Sequence, residues 1–151
     1  MATLNKFVFA VAAIIFAAIA PVSAQVGPTA TTPDNRVAIE LPAAEYEHVM
    51  HEMRQFLASI SNIMAASLRN EFNGVATAAR MGGRSAPTGI ERSIAPKLPP
   101  AFRQLAFDTH ARFDRIAIEA EKSDRTLVFT QVSELLSNCV GCHSSYSMRM
   151  K

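Results

Sequence analysis

Residues 125–147 read RTLVFTQVSELLSNCVGCHSSYS, and this stretch decides how the rest of the chain is interpreted. Its apolar residues recur at intervals of three and four, which predicts an amphipathic helix capped by Ser123 or Asp124. The apolar face is made of Val128, Val132, Leu135, Leu136, Cys139, His143 and Tyr146. Cys142 and His143 follow Cys139 by three and four residues, so all three are expected on the inward face of this helix.

The pentapeptide Cys139-Val-Gly-Cys-His143 matches Cys-x-x-Cys-His, the attachment signature of a c-type haem. Two thiols bond to one edge of the porphyrin, and the histidine that follows is an axial ligand of the iron. We therefore expect one covalently attached haem c on Cys139 and Cys142, with His143 on the iron. A zinc site fits less well because a further ligand is missing nearby. A haem-free thiol–disulfide protein using the same two cysteines stays an alternative.

The first 24 residues have the pattern of a secretion signal. Lys6 precedes an apolar run of 14 residues, Phe7 to Ala20, and small side chains follow at the expected cleavage site. A bilayer-spanning helix needs about 20 apolar residues, so we expect a cleaved signal, a periplasmic protein and no stable membrane insertion. Residues 25–41 are rich in Thr and Pro and are predicted to be a flexible tether.

Three further helices are predicted over residues 43–69, 74–81 and 99–121. A Gly- and Pro-rich loop over residues 82–100 separates the last two. The first helix carries an apolar stripe formed by Tyr46, Val49, Met50, Met53, Leu57, Ile60 and Met64. Since sustained alternation is absent, we expect no sheet. The fold prediction for residues 42–151 is an all-α, antiparallel four-helix bundle with a long loop between helices two and three.

The chain resembles the class II cytochromes c, which comprise cytochrome c-prime and its low-spin, Met-ligated relatives. The resemblance covers residues 42–148 and rests on the C-terminal Cys-x-x-Cys-His motif, on Tyr146 three residues later, and on the order of helices and loop. It implies that the first helix crosses the distal face of the haem. Met53 is then the expected sixth ligand and Met50 the second choice, although a Met at helical spacing can also be core. Relatives often have a basic residue where this chain has Ser147, so their salt bridge to a haem propionate is in doubt here.

The resemblance implies a single-electron carrier, not an enzyme, whose partners are redox proteins. A five-coordinate protein of the c-prime kind that binds NO or CO is the alternative. The formal charge of the whole chain is +2, and loss of Lys6 with the signal lowers it to +1, which argues against a nucleic-acid partner. Relatives often dimerise through their first two helices, so a homodimer is among the expected assemblies. His110, beside the apolar face of the third helix, is expected to contact a propionate or a backbone carbonyl.

Overall fold

A computed structural model of the chain describes residues 33–85 and 94–151. The predicted signal peptide, the first part of the predicted tether and residues 86–93 of the predicted loop lie outside the described residues. The elements, in chain order, are β1 (Val37–Leu41), α1 (Ala43–Leu68), α2 (Phe72–Arg80), a short 3₁₀ turn (Ala95–Lys97), α3 (Pro100–Ala120), α4 (Arg125–Ser145) and β2 (Tyr146–Met150). The described part of the chain is thus mainly helical, as predicted, and contains four α-helices.

The helix ends follow local chemistry. Asp124 caps α4, and its Oδ1 accepts hydrogen bonds from the backbone N–H groups of Thr126 and Leu127 at 2.8 and 3.2 Å. After α1 the chain turns through Asn70, which has a φ of 57°, a left-handed conformation that Asn tolerates well. The second helix, predicted over residues 74–81, begins two residues earlier, at Phe72, and ends at Arg80.

The main core lies where α3 packs against both α2 and α4, while α1 packs against α2. Phe113 of α3 is completely buried at its centre. Gly82, just after α2, permits this packing because a Cβ there would lie 2.7 Å from the Phe113 ring. Among the described residues, none of the helices is long and apolar enough to cross a membrane.

A short parallel pair of strands joins the two ends of the described chain, and the expectation that no strand would form is therefore wrong. β1 pairs with β2 in a register that runs from Val37 opposite Tyr146 to Leu41 opposite Met150. Ile39 and Leu41 point into a second, smaller core, and Leu41 is fully buried. The last five residues of the predicted tether, 37–41, are thus a strand that pairs with β2, directly after α4.

The buried face of α1 is rotated relative to the predicted stripe. Leu57 and Met64, predicted to face inward, are 69% and 42% exposed. The buried residues of α1 are instead Val49, Glu52, Phe56, Ser59, Ile60, Ile63, Ala66 and Ser67. This face includes a fully buried glutamate, which hydropathy alone assigns to the surface.

Candidate functional site

The Cys-x-x-Cys-His segment of α4 lies beside an apolar cavity that α1 lines from the other side. The larger part of the cavity measures about 290 Å³. A smaller part of about 40 Å³ adjoins it, since the two parts share several lining residues. We call the two parts together the α1–α4 cavity; the residues that line both parts are Val49, Met53, Phe102, Cys142 and His143.

All three residues of the predicted attachment motif line this cavity. Cys139 and Cys142 are partly buried and are not joined by a disulfide, whereas His143 is exposed at the rim. Burial raises the pKa of both thiols above their usual value, and the charge of Cys139 raises the pKa of Cys142 further. Both thiols lie in the C-terminal third of α4, away from the helix N-terminus that would favour a thiolate.

The two candidate methionines of α1 line the same cavity. Met53 borders both parts of it, whereas Met50 borders the larger part alone. Both are partly buried. An imidazole and a thioether on facing helices are the axial donors of a Met/His-ligated haem c, and two thiols on the helix of the imidazole are the groups through which such a haem is attached. The apolar lining is also appropriate for a porphyrin, so the residues present fit such a group.

A buried acid–base pair lies next to the smaller part of the cavity, and its acid, Glu52, lines that part. Glu52 is 1% exposed, and its Oε1 lies 3.4 Å from Nε2 of His110. The distance is long for a hydrogen bond, and no other described residue gives Oε1 a hydrogen-bond partner. Burial by itself lowers the pKa of His110, but the Glu52 carboxylate and the Gly82 carbonyl outweigh it, so the pKa is raised above its usual value.

His110 is held from its other side by a backbone carbonyl. Its Nδ1 lies 2.8 Å from the Gly82 oxygen, so Nδ1–H donates to that carbonyl. The backbone alternative expected for this histidine is therefore the one observed. Sequence reasoning did not single out Glu52, because hydropathy gives no reason to expect a glutamate in the core. The signal that could have identified Glu52 is its spacing of three and four residues from Val49 and Phe56, which puts all three residues on the buried face.

Two polar side chains also line the larger part of the cavity, Arg36 and Ser147. Among the described residues, the buried hydroxyl of Ser147 has no hydrogen-bond partner. Arg36 belongs to the predicted tether. This arginine was not singled out in the sequence, since nothing local connects it to a motif more than a hundred residues away.

Within residues 33–85 and 94–151, no three His, Cys, Asp or Glu side chains converge as a metal site formed by protein ligands alone. Comparison of the chain with protein-family models, curated proteins and solved structures gives no match.

Proposed function

We propose that this protein is a periplasmic c-type cytochrome that carries single electrons. One haem c would be attached through Cys139 and Cys142, with His143 as one axial ligand and Met53 as the other. The cofactor would supply an iron that changes between the ferric and ferrous states. The proposed architecture is an antiparallel four-helix bundle, with the long segment between Arg80 and Pro100 joining the second and third helices.

One observation carries the proposal: the attachment motif and Met53 line a single apolar cavity from facing helices. The spacing of Cys139, Cys142 and His143 along α4 makes them neighbours on a helix, but it says nothing about what they face. Met53 is 86 residues before Cys139 (139 − 53), so its presence on the same cavity is independent support. Met53 borders both parts of the cavity, which favours it over Met50 as sixth ligand.

The thiols themselves argue against the haem-free dithiol alternative. A redox-active cysteine needs a lowered pKa, which a helix N-terminus or a nearby cation provides. Here burial raises the pKa of both Cys139 and Cys142, and both lie toward the C-terminal end of their helix. These thiols are poorly suited to attack a disulfide, whereas partial burial beside an apolar cavity suits covalent attachment of a cofactor.

The first test is covalent attachment. The full chain is produced together with haem-maturation machinery and is examined by haem staining of a denaturing gel and by mass spectrometry. We expect one haem per chain in the wild type and none in the C139S/C142S variant. A wild-type protein without covalent haem under these conditions would overturn the proposal and favour the dithiol alternative.

The second test concerns the sixth ligand and separates the electron carrier from the gas binder. The reduced wild-type protein is expected to show a low-spin spectrum and to resist CO, whereas M53A should be high-spin and bind CO readily. M64A is the matched control, since Met64 lies on the same helix but is 42% exposed and away from the cavity. M50A tests the second choice. A high-spin wild type that binds CO as well as M53A does would contradict Met53 ligation and favour NO or CO binding.

A further inference from the structure

The segment just before α1 reaches the end of the helix that carries the attachment motif. Nη1 of Arg36 donates a hydrogen bond to the carbonyl oxygen of His143 at 3.2 Å and lies 3.5 Å from that of Tyr146. The residues are 107 and 110 positions apart in the chain. Arg36 also lines the larger part of the α1–α4 cavity, beside His143 itself.

The position of the Arg36 side chain is fixed by Asp34. Nε and Nη2 of the guanidinium donate to the two carboxylate oxygens of Asp34, both at 2.9 Å, and the backbone N–H of Arg36 donates to Oδ1 at 3.1 Å. This is the two-pronged geometry that arginine, unlike lysine, forms with a carboxylate. The pairing lowers the pKa of Asp34 to about 2, so the carboxylate stays charged at neutral pH.

The carbonyl that Arg36 contacts needs a partner from elsewhere. His143 lies in the last turn of α4, where carbonyl groups have no intrahelical hydrogen-bond donor. A cation at this end of a helix is also favoured by the helix dipole. Directly after Arg36 the backbone pairs with β2, Val37 lying opposite Tyr146. One short segment, residues 34–41, therefore contacts both the last turn of α4, through Arg36, and the strand β2 that follows it.

We propose that Asp34 and Arg36 form a positioning pair that fixes the backbone of the axial ligand His143. The inference rests on the proposed function, because it gives His143 a role on the iron. Arg36 acts here through the His143 carbonyl and not on the cofactor. Within the predicted tether, Arg36 lines the proposed cofactor cavity and Asp34 holds its side chain.

The test compares R36Q with R69Q in the haem-loaded protein. Arg69 is the matched control, because it forms the same kind of ion pair with an acid two residues away, Glu71, but lies outside the cavity lining. In R36Q we expect backbone amides of β2 to exchange with deuterium roughly three- to tenfold faster, as loss of one exposed charge-assisted hydrogen bond predicts. R69Q should leave these amides unchanged.

A spectroscopic measurement reports on the axial ligand itself. The hyperfine-shifted haem methyl signals of the oxidised protein depend on the orientation of the axial imidazole, and R36Q should shift or broaden them while R69Q should not. R36K keeps the charge but loses the two-pronged geometry, so it should resemble R36Q. If R36Q is indistinguishable from R69Q in both measurements, or if R36K behaves as wild type, the positioning role is overturned while the cytochrome proposal stands. Absence of covalent haem overturns both.

Discussion

Replacement of His110 by Gln tests whether the buried pair beside the cavity has the charges inferred for it. The side chains of His110 and Glu52 are 10% and 2% exposed, and His110 Nε2 lies 3.4 Å from Glu52 Oε1. Removal of one partner from a buried ion pair typically costs about 3–5 kcal/mol, because the other charge is left uncompensated. Since the separation is long and His110 is not wholly buried, we expect the lower end for H110Q, about 3 kcal/mol.

The pH dependence of this loss has a definite sign. The folded protein raises the pKa of His110 above the unfolded value of 6.5, so the folded state holds the proton more tightly. The stability that the pair contributes is therefore fully present below the unfolded pKa and is lost as the pH rises through the folded pKa. The difference in unfolding free energy between wild type and H110Q should be largest near pH 6 and should shrink toward pH 8.5.

Urea unfolding of the wild type and H110Q at the two pH values measures both effects. H51Q is the control, because His51 lies on the same helix as Glu52 but is exposed. A loss in H110Q no larger than that in H51Q at pH 6 would refute the charged pair. So would a loss of equal size at both pH values, because that result would mean that His110 contributes by packing and by its bond to Gly82 alone.

Three further substitutions test the packing that surrounds the site. L41A should lower the unfolding free energy by about 2–5 kcal/mol because Leu41 is fully buried. V37A, at a 54% exposed position of the same strand, should have little effect. Equal effects of the two substitutions in urea unfolding would mean that residues 37–41 are only a spacer. G82A should destabilise by about 1–3 kcal/mol because its Cβ would lie 2.7 Å from the Phe113 ring, and a wild-type melting temperature would contradict this close approach. D124A should cost about 1 kcal/mol through loss of the α4 cap, with D108A, in the middle of α3, as a control for removal of a charge.

The helices were predictable because their signals are local. The cap of α4 and its apolar periodicity both lie within the sequence of that one helix. The helix is capped by Asp124 and begins at Arg125, as expected. The pairing of β1 with β2 was not predictable in the same way, because it joins Val37 to Tyr146 across nearly the whole described chain. A faint local signal exists in VAIEL, where Ile39 and Leu41 alternate with exposed residues, but the Pro-rich surroundings of residues 25–36 obscure it.

The face that α1 buries was mispredicted for a related reason. Hydropathy places a glutamate outside and a methionine inside, whereas burial of Glu52 depends on His110, which lies on another helix 58 residues later (110 − 52). A charged residue can occupy a helix face turned to the core when its partner is there, and one sequence does not reveal that partner. Met53 lines the cavity nevertheless, because it lies on the predicted face close to the edge of the observed one.

The rotation of α1 links the acid–base pair to the position of Met53. Adjacent residues of a helix are about 100° apart around its axis, so Glu52 and Met53 cannot change direction independently. While His110 holds Glu52 in the wall of the smaller part of the cavity, Met53 is kept where it borders both parts. A helix rotated so that Met53 entered the core fully would carry Glu52 away from His110 and leave the imidazole without its carboxylate. The buried pair and the place of Met53 at the cavity therefore belong to the same orientation of α1, and a rotation of the helix would change both.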